Sequence, residues 1–402
     1  MFDVAVIGIG MIGSAALRYL SKHETGLRVV GIGPAEPQDW ATHQGAFASH
    51  YDQARITRIT DPDTIWATLA QRAINTYAEI EQSSGIQFHY PVGHLRINPH
   101  PKREASSFNT ADAIGRALDA PIDRLDSSQL AAKFPYLHIP DAAEGLYEHG
   151  GAGFINPRAL VAAQLTIAAA QGATIMREEV VGMARDDRGF VLTTNSGQTV
   201  RARRVLVSTH GYTNPLVQPL LNHALDLVSM AHTTVYAAIA DEQVQVLSAM
   251  PSVIWPVEGH LVLESIYTTS AMRYPDGRYY LKTGGPLFTH PILQTPESML
   301  EWFHSAGNAV EIQALQEVLL AIMPDLQVNG WSSKPCMNTY TAHGYPYVDQ
   351  LDDDLFVCTG GCGSGAKSSN EIGHMGALLA QHGAWTYDLP ATDFRAVYSD
   401  AG

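Results

Sequence analysis

Cysteine is scarce in this chain of 402 residues, with only Cys336, Cys358 and Cys362. Three unevenly placed thiols make no disulfide framework. Cys358 and Cys362 have no second pair to complete a tetrahedral set, so no metal is expected. Positive charge is also short, with 25 Lys and Arg against 40 Asp and Glu and a formal charge of −15. That balance disfavours nucleic acid or an anionic membrane surface as the partner. No apolar run approaches the ~20 residues of a membrane span. The chain opens directly on an apolar strand pattern, which leaves no room for a signal peptide, and the cytoplasm is the expected compartment. Lysine is rarest among the charged types. Of the six, at positions 22, 102, 133, 282, 334 and 367, Lys282 and Lys367 stand in or beside glycine-rich segments.

What is present is an ordinary globular composition, 46% hydrophobic and 16% charged, in a length that suits two or three domains. Its most informative stretch is Val4-Ala5-Val6-Ile7-Gly8-Ile9-Gly10-Met11-Ile12-Gly13-Ser14. A β-branched run entering Gly-x-Gly-x-x-Gly, with helical periodicity behind it at Leu17 and Leu20, is the order a dinucleotide site needs. Gly8 permits the turn, Gly10 lets backbone approach a pyrophosphate, and Gly13 lets the helix lie close on the strand. The next strand, Arg28 to Ile32, ends at Gly33 where an acidic residue usually holds the adenosine ribose. Glu36 is the nearby acid that would reach back to replace it.

Further along, Thr42 to Arg58 reads as a loop, and Arg55 and Arg58 would share a face if they stood on a helical turn. Such a pair suits either surface salt bridges or a grip on a flavin or a carboxylate. Asp61-Pro62-Asp63-Thr64 caps a helix with Trp66, Leu69, Ala73, Tyr77 and Ile80 inward. Asn156 and Pro157 start another helix, as do Thr295 and Pro296. Val205 to Gly211 is a buried strand running into a small-residue turn at Thr209 and Gly211, the shape of a second close approach to a dinucleotide. Strand Leu355–Cys358 then enters Gly360-Gly361-Cys362-Gly363-Ser364-Gly365-Ala366-Lys367, a second anion-friendly loop before a helix that is expected from Ser368. The order predicts an α/β (α+β) protein: a Rossmann-like nucleotide domain from 1–86, 150–215 and 335–402. A β-sheet substrate domain from 87–149 and 216–334 interrupts it twice.

In combination these motifs resemble the D-amino acid oxidase superfamily, and within it the group of monomeric sarcosine oxidase and N-methyltryptophan oxidase, over nearly the full length. Arg55-Ile56-Thr57-Arg58 is similar to the family's Arg-x-x-Arg. The resemblance implies that Arg55 lies by the flavin and that Arg58 binds substrate carboxylate. It implies that Lys282, before Gly284-Gly285, activates oxygen, that Lys367 is the second carboxylate ligand, and that Cys336 of Cys336-Met337 joins the flavin covalently. FAD is the implied cofactor. The cofactor-binding set is then Gly8, Gly10, Met11, Ile12, Gly13, Ser14, Glu36, His50, Tyr51, Arg55, Val181, Thr209, Gly211, Cys336, Gly363, Ser364, Gly365, Ala366 and Lys367. Asn338 and Pro286 depart from the Tyr and His that sarcosine-type enzymes carry in the substrate pocket, which leaves the amine itself open.

The expected activity is oxidation of a small carboxylated amine or amino acid, secondary or N-methyl, with O2 as acceptor and H2O2 as product. The chain would work as a monomer or small homo-oligomer. Three rivals remain at this level: an FAD-dependent dehydrogenase with another acceptor, a nicotinamide-dependent reductase, and a flavoprotein that has lost catalysis. A plain buried thiol at Cys336 and a strand-edge charge at Lys282 are the bland alternatives for those residues.

Overall fold

A computed structural model describes residues 1–101 and 105–399; Lys102 lies outside them. The apolar run Phe2–Ile7 is the centre of an eight-stranded sheet, parallel to Val29–Ile32 on one side and Thr199–Val207 on the other. Thr174–Met176 and Leu355–Thr359 extend the parallel part outward. Strands covered on both faces must be apolar throughout. Accordingly Val4, Val6 and Leu206 pack with Leu17, Leu20, Phe356 and Ile372 on one side, while Ala5, Ile7, Val205 and Val207 face a second cluster.

Helices Met11–Leu20 and Gly365–His382 lie together on the first of these faces. Their approach depends on glycine. A Cβ on Gly373 would lie 2.5 Å from that of Ala15, and one on Gly13 only 1.8 Å from the Gly8 carbonyl oxygen. Gly13→Ala should therefore destabilise the protein by roughly 2 kcal/mol through overpacking, and it should lower FAD content on purification. Retention of full flavin and an unshifted melting temperature would contradict that close approach.

The second sheet has ten strands, mostly antiparallel, and is built around the long ribbon of Leu227–Ile239 with Val328–Thr341. Both excursions contribute to it, Tyr279–Gly284 from the later one and His94–Asn98 and Glu144–Glu148 from the earlier. Strand Val328–Thr341 runs straight through position 335, where the sequence suggested a domain boundary. Helix Ala309–Ile322 covers this sheet with Leu315 and Leu319. A three-stranded sheet joins Arg55–Thr57, Gly153–Ile155 and His89–Tyr90.

Two local expectations need correction. Arg55 begins an extended strand, so Arg55 and Arg58 do not share a helical face. The last long helix starts at Gly365, not Ser368, which puts Lys367 inside its first turn. Other starts are as read, with Asp63, Asn156 and Thr295 accepting first-turn amides. Among the described residues no helix is long and apolar enough to cross a membrane.

Candidate active site

A cavity of about 420 Å³ runs between the two large sheets. Gly8, Gly10, Met11, Ile12 and Val181 line it, together with His50, Tyr51 and Arg55. Cys336 and Asn338 of the second sheet line it too, as do Thr209, Gly363, Gly365 and Ala366. Gly8 needs its left-handed φ of +86°, and a Cβ there would lie 2.4 Å from the Ser208 carbonyl oxygen.

Two helices aim uncapped N-termini at this space. Gly10 has no side chain to give, and Ser364 makes no side-chain cap. Asp63, Asp126, Asn156, Thr295 and Asn308 cap their own helices, whereas Thr213–Leu221 and Asp241–Ser248 are also without a side-chain cap. Unanswered first-turn amides carry partial positive charge and call for an anion. Ser208 Oγ, also on the cavity wall, is buried without a partner. A pyrophosphate near Met11 and an electron-rich ring edge near Gly365 would answer these donors, so the residues present fit FAD.

Sequence reasoning missed several residues of the wall, two of them with unusual backbone. His210 (φ +48°) and Cys362 (φ +47°) adopt left-handed backbone without being glycine, a strain of the kind that gathers at functional sites. Burial lowers the His210 pKa to about 4. Burial, then Arg158, Arg177 and Arg55, lowers that of His50 to about 3. Both imidazoles are neutral at pH 7.

Two carboxylates organise the cations beside the cavity, in the pattern Asp52-x-x-Arg55-x-x-Arg58-x-x-Asp61. Asp52 Oδ2 accepts from Arg55 and from Lys282 Nζ at 2.7 Å. Its Oδ1 accepts from the Tyr274 hydroxyl at 2.9 Å and from the Gln53 amide at 2.7 Å. Lys282 Nζ also donates to the Ala54 carbonyl at 2.9 Å and is wholly buried. Burial and then the Arg55 charge lower its pKa to about 8, against the opposing pull of Asp52. Arg55 reaches Cys336 Sγ at 3.8 Å. Asp61 repeats the arrangement, accepting from Arg58 at 2.8 Å and Lys367 at 2.5 Å. Burial and then the Arg58 charge bring Lys367 down to about 8 as well, although Asp61 resists.

Several expected site residues therefore stand elsewhere. Lys282, Arg58 and Lys367 are behind the cavity wall, each held by an internal carboxylate. Glu36 gives both oxygens to Arg158 at 2.6 Å and is not on the wall. Gly211 is a packing position, because a Cβ there would meet Ser229 Oγ at 2.6 Å. Ser14 is buried with its hydroxyl on the Met11 carbonyl, and Ser364 is the helix cap residue without touching the cavity. Asp52 went unread and Asp61 was read only as part of a helix cap, although their spacing from the arginines was the available signal.

The model of the DAO family, described as FAD dependent oxidoreductase, matches residues 3–379. The chain is 26% identical over 404 residues to the monomeric sarcosine oxidase of Streptomyces avermitilis, covering 98% of this chain and 97% of that protein. It is 22% identical over 393 residues to the peroxisomal sarcosine oxidase of Homo sapiens, covering 97% and 94%. Among solved structures, NikD, an unusual amino acid oxidase essential for nikkomycin biosynthesis, superposes with a TM-score of 0.77 at 18% identity, covering 99% of this chain and 98% of that one. Glycine oxidase from Geobacillus kaustophilus gives 0.71 at 19% identity, with 98% of each chain covered. These structural likenesses show the fold.

Proposed function

Because the chain belongs to the DAO family of FAD-dependent oxidoreductases and acts on CH–NH bonds, we propose that it is an oxidase of a small carboxylated amine or amino acid, secondary or N-methyl. The observation that carries this reading is the placement of a cationic cluster directly behind the wall of a dinucleotide cavity. Gly8, Gly10 and the amides opening helix Met11–Leu20 would hold the pyrophosphate. His50, Tyr51, Arg55 and the Gly363–Ala366 loop would border the ring system, with Cys336 as the site of covalent attachment. When bound, FAD supplies a two-electron acceptor, so that amine, O2 and water become carbonyl product, residual amine and H2O2.

The residues contribute position and field. Cations in the Arg58 cluster orient the substrate carboxylate, which fixes the C–H bond to be broken. Amides at the start of helix Gly365–His382 stabilise negative charge developing in the cavity without having to move. Lys282 holds a proton beside Arg55 and stabilises charge growing on oxygen. The protein acts in this reading as a cytoplasmic monomer or small homo-oligomer. A dehydrogenase with another acceptor is the second reading, and it draws on the Lys282–Asp52 pair, since a paired cation helps oxygen less.

The visible spectrum before and after acid precipitation is the first test. Yellow colour retained in the pellet, and moved to the supernatant by Cys336→Ala, is the expected result. Anaerobic bleaching by a carboxylated amine, followed by peroxide on admission of air, completes it. A colourless protein that FAD does not reconstitute overturns the reading.

A further inference from the structure

The cleft between Arg58 and Lys367 already contains a carboxylate. Both cations donate to a single oxygen of Asp61, and its other oxygen accepts from the Asp63 amide at 3.1 Å. Asp61 thus stands where the carboxylate of a bound substrate was expected.

Unused donors lie beside it. In strand His94–Asn98, Leu95 and Ile97 enter the core of the ten-stranded sheet, so His94 and Arg96 share the opposite face. Glu148, paired with His94 across the ladder, accepts from the amides of Ile59 and Thr60 at 2.7–3.0 Å. This carboxylate ties the segment after Arg58 to that face. The Arg96 side chain is half-buried and makes no hydrogen bond or ion pair with any described residue. Burial, then the neighbouring Arg58 charge, brings its pKa down to about 10. Arg58 Nε and His94 Nε2 are both buried with no partner. His94 Nδ1 lies 2.9 Å from Ser252 Oγ, a hydroxyl that also lies 3.5 Å from the Gly93 carbonyl; the tautomer with its proton on Nε2 is the one that would serve an anion. Buried polar atoms without partners are costly, and two of them beside the unpaired Arg96 guanidinium describe a seat for one anion.

We propose that Arg96, flanked by Arg58 Nε and His94 Nε2, seats the carboxylate of the substrate, and that Asp61 is the permanent internal partner of Arg58 and Lys367. Arg96 is then the specificity-determining residue for carboxylated amines, a conclusion that rests on the oxidase reading above. Lys367, whose partner Asp61 also holds Arg58, follows directly on Gly365 and Ala366, which line the cavity.

The test uses the FAD-loaded protein with butyrate as a non-oxidisable probe, read by perturbation of the visible spectrum. Arg96→Met should raise the butyrate Kd and the KM of a carboxylated amine by about thirty-fold, with kcat changed by less than about three-fold. Butylamine, which lacks the carboxylate, should be handled equally by both proteins. Arg96→Lys, which keeps one charge, should fall between them and covers the case of a Met variant that does not fold. A butyrate Kd unchanged in both variants overturns the proposal and returns the carboxylate to the Arg58–Lys367 cleft. The titration needs no turnover, so it decides the seat even if no amine reduces the flavin, an outcome that would count against the oxidase reading alone.

Discussion

Asp52→Ala should destabilise the FAD-loaded protein by about 3–5 kcal/mol, because it leaves two cations in the interior without a counter-ion. Four donors converge on this one carboxylate: Lys282, Arg55, the Tyr274 hydroxyl and the Gln53 amide. Lys282 has no exposure to water with which to replace what is lost. Its pKa, about 8 with Asp52 present, should fall further, so that the ammonium sheds its proton at neutral pH. Asp52→Asn keeps the shape and several hydrogen bonds while removing the charge, and its loss should be smaller. Chemical denaturation of the three proteins at pH 7 measures both effects. An Asp52→Ala protein within about 1 kcal/mol of wild type, the range of an exposed pair, would mean that water reaches this cluster.

The acidity dependence follows from the same contacts. Burial pushes the carboxyls of Asp52 and Asp61 upward, but Lys282 and Lys367 respectively, helped by Arg55 and Arg58, outweigh it and hold both well below 3.8. Their folded-state values lie below the unfolded one, so this stabilisation is present above about pH 4 and is lost as pH falls below it.

The dinucleotide half of the fold is legible because its determinants are local. Gly8, Gly10 and Gly13 fall within six residues, and the tightest approach among them, Gly13 on the Gly8 carbonyl, is made inside one strand–turn–helix unit. Asn156-Pro157 and Thr295-Pro296 announce their helices for the same reason. The charge partners are not local. Asp61 meets Lys367 across 306 positions, and Glu36 meets Arg158 across 122. Nothing in the text of a chain says which of its acids will be consumed by which distant cation. The start of the last helix was hidden differently: Gly365 is a poor helix former and gives no start signal of its own. His210 and Cys362 were missed because left-handed positions are expected to carry Gly or Asn. Lysine scarcity, by contrast, was a useful guide, since both lysines it singled out are buried in paired clusters beside the cavity.

Replacing Lys282 by methionine separates the two halves of the proposed reaction. Arg55 remains to pair with Asp52, so the carboxylate keeps a counter-ion, and methionine fills most of the lysine's volume. Substrate reduction of the flavin under anaerobic conditions should change by less than about ten-fold, because the seat for the carboxylate is untouched. Reoxidation by O2 should slow by about 10²–10³-fold, the usual loss when a preorganised charge is removed from the place where negative charge develops. The pH dependence gives an independent check. Burial and Arg55 set the Lys282 pKa near 8, so the cation is present below that pH. Wild-type reoxidation should decline as pH rises through 8, by about ten-fold per unit once the proton is mostly gone, while the Lys282→Met protein should show no such decline. Stopped-flow mixing of the reduced protein with oxygenated buffer across pH 6–10 measures both. If the two proteins reoxidise equally fast, oxygen does not use this cation, and the dehydrogenase reading gains.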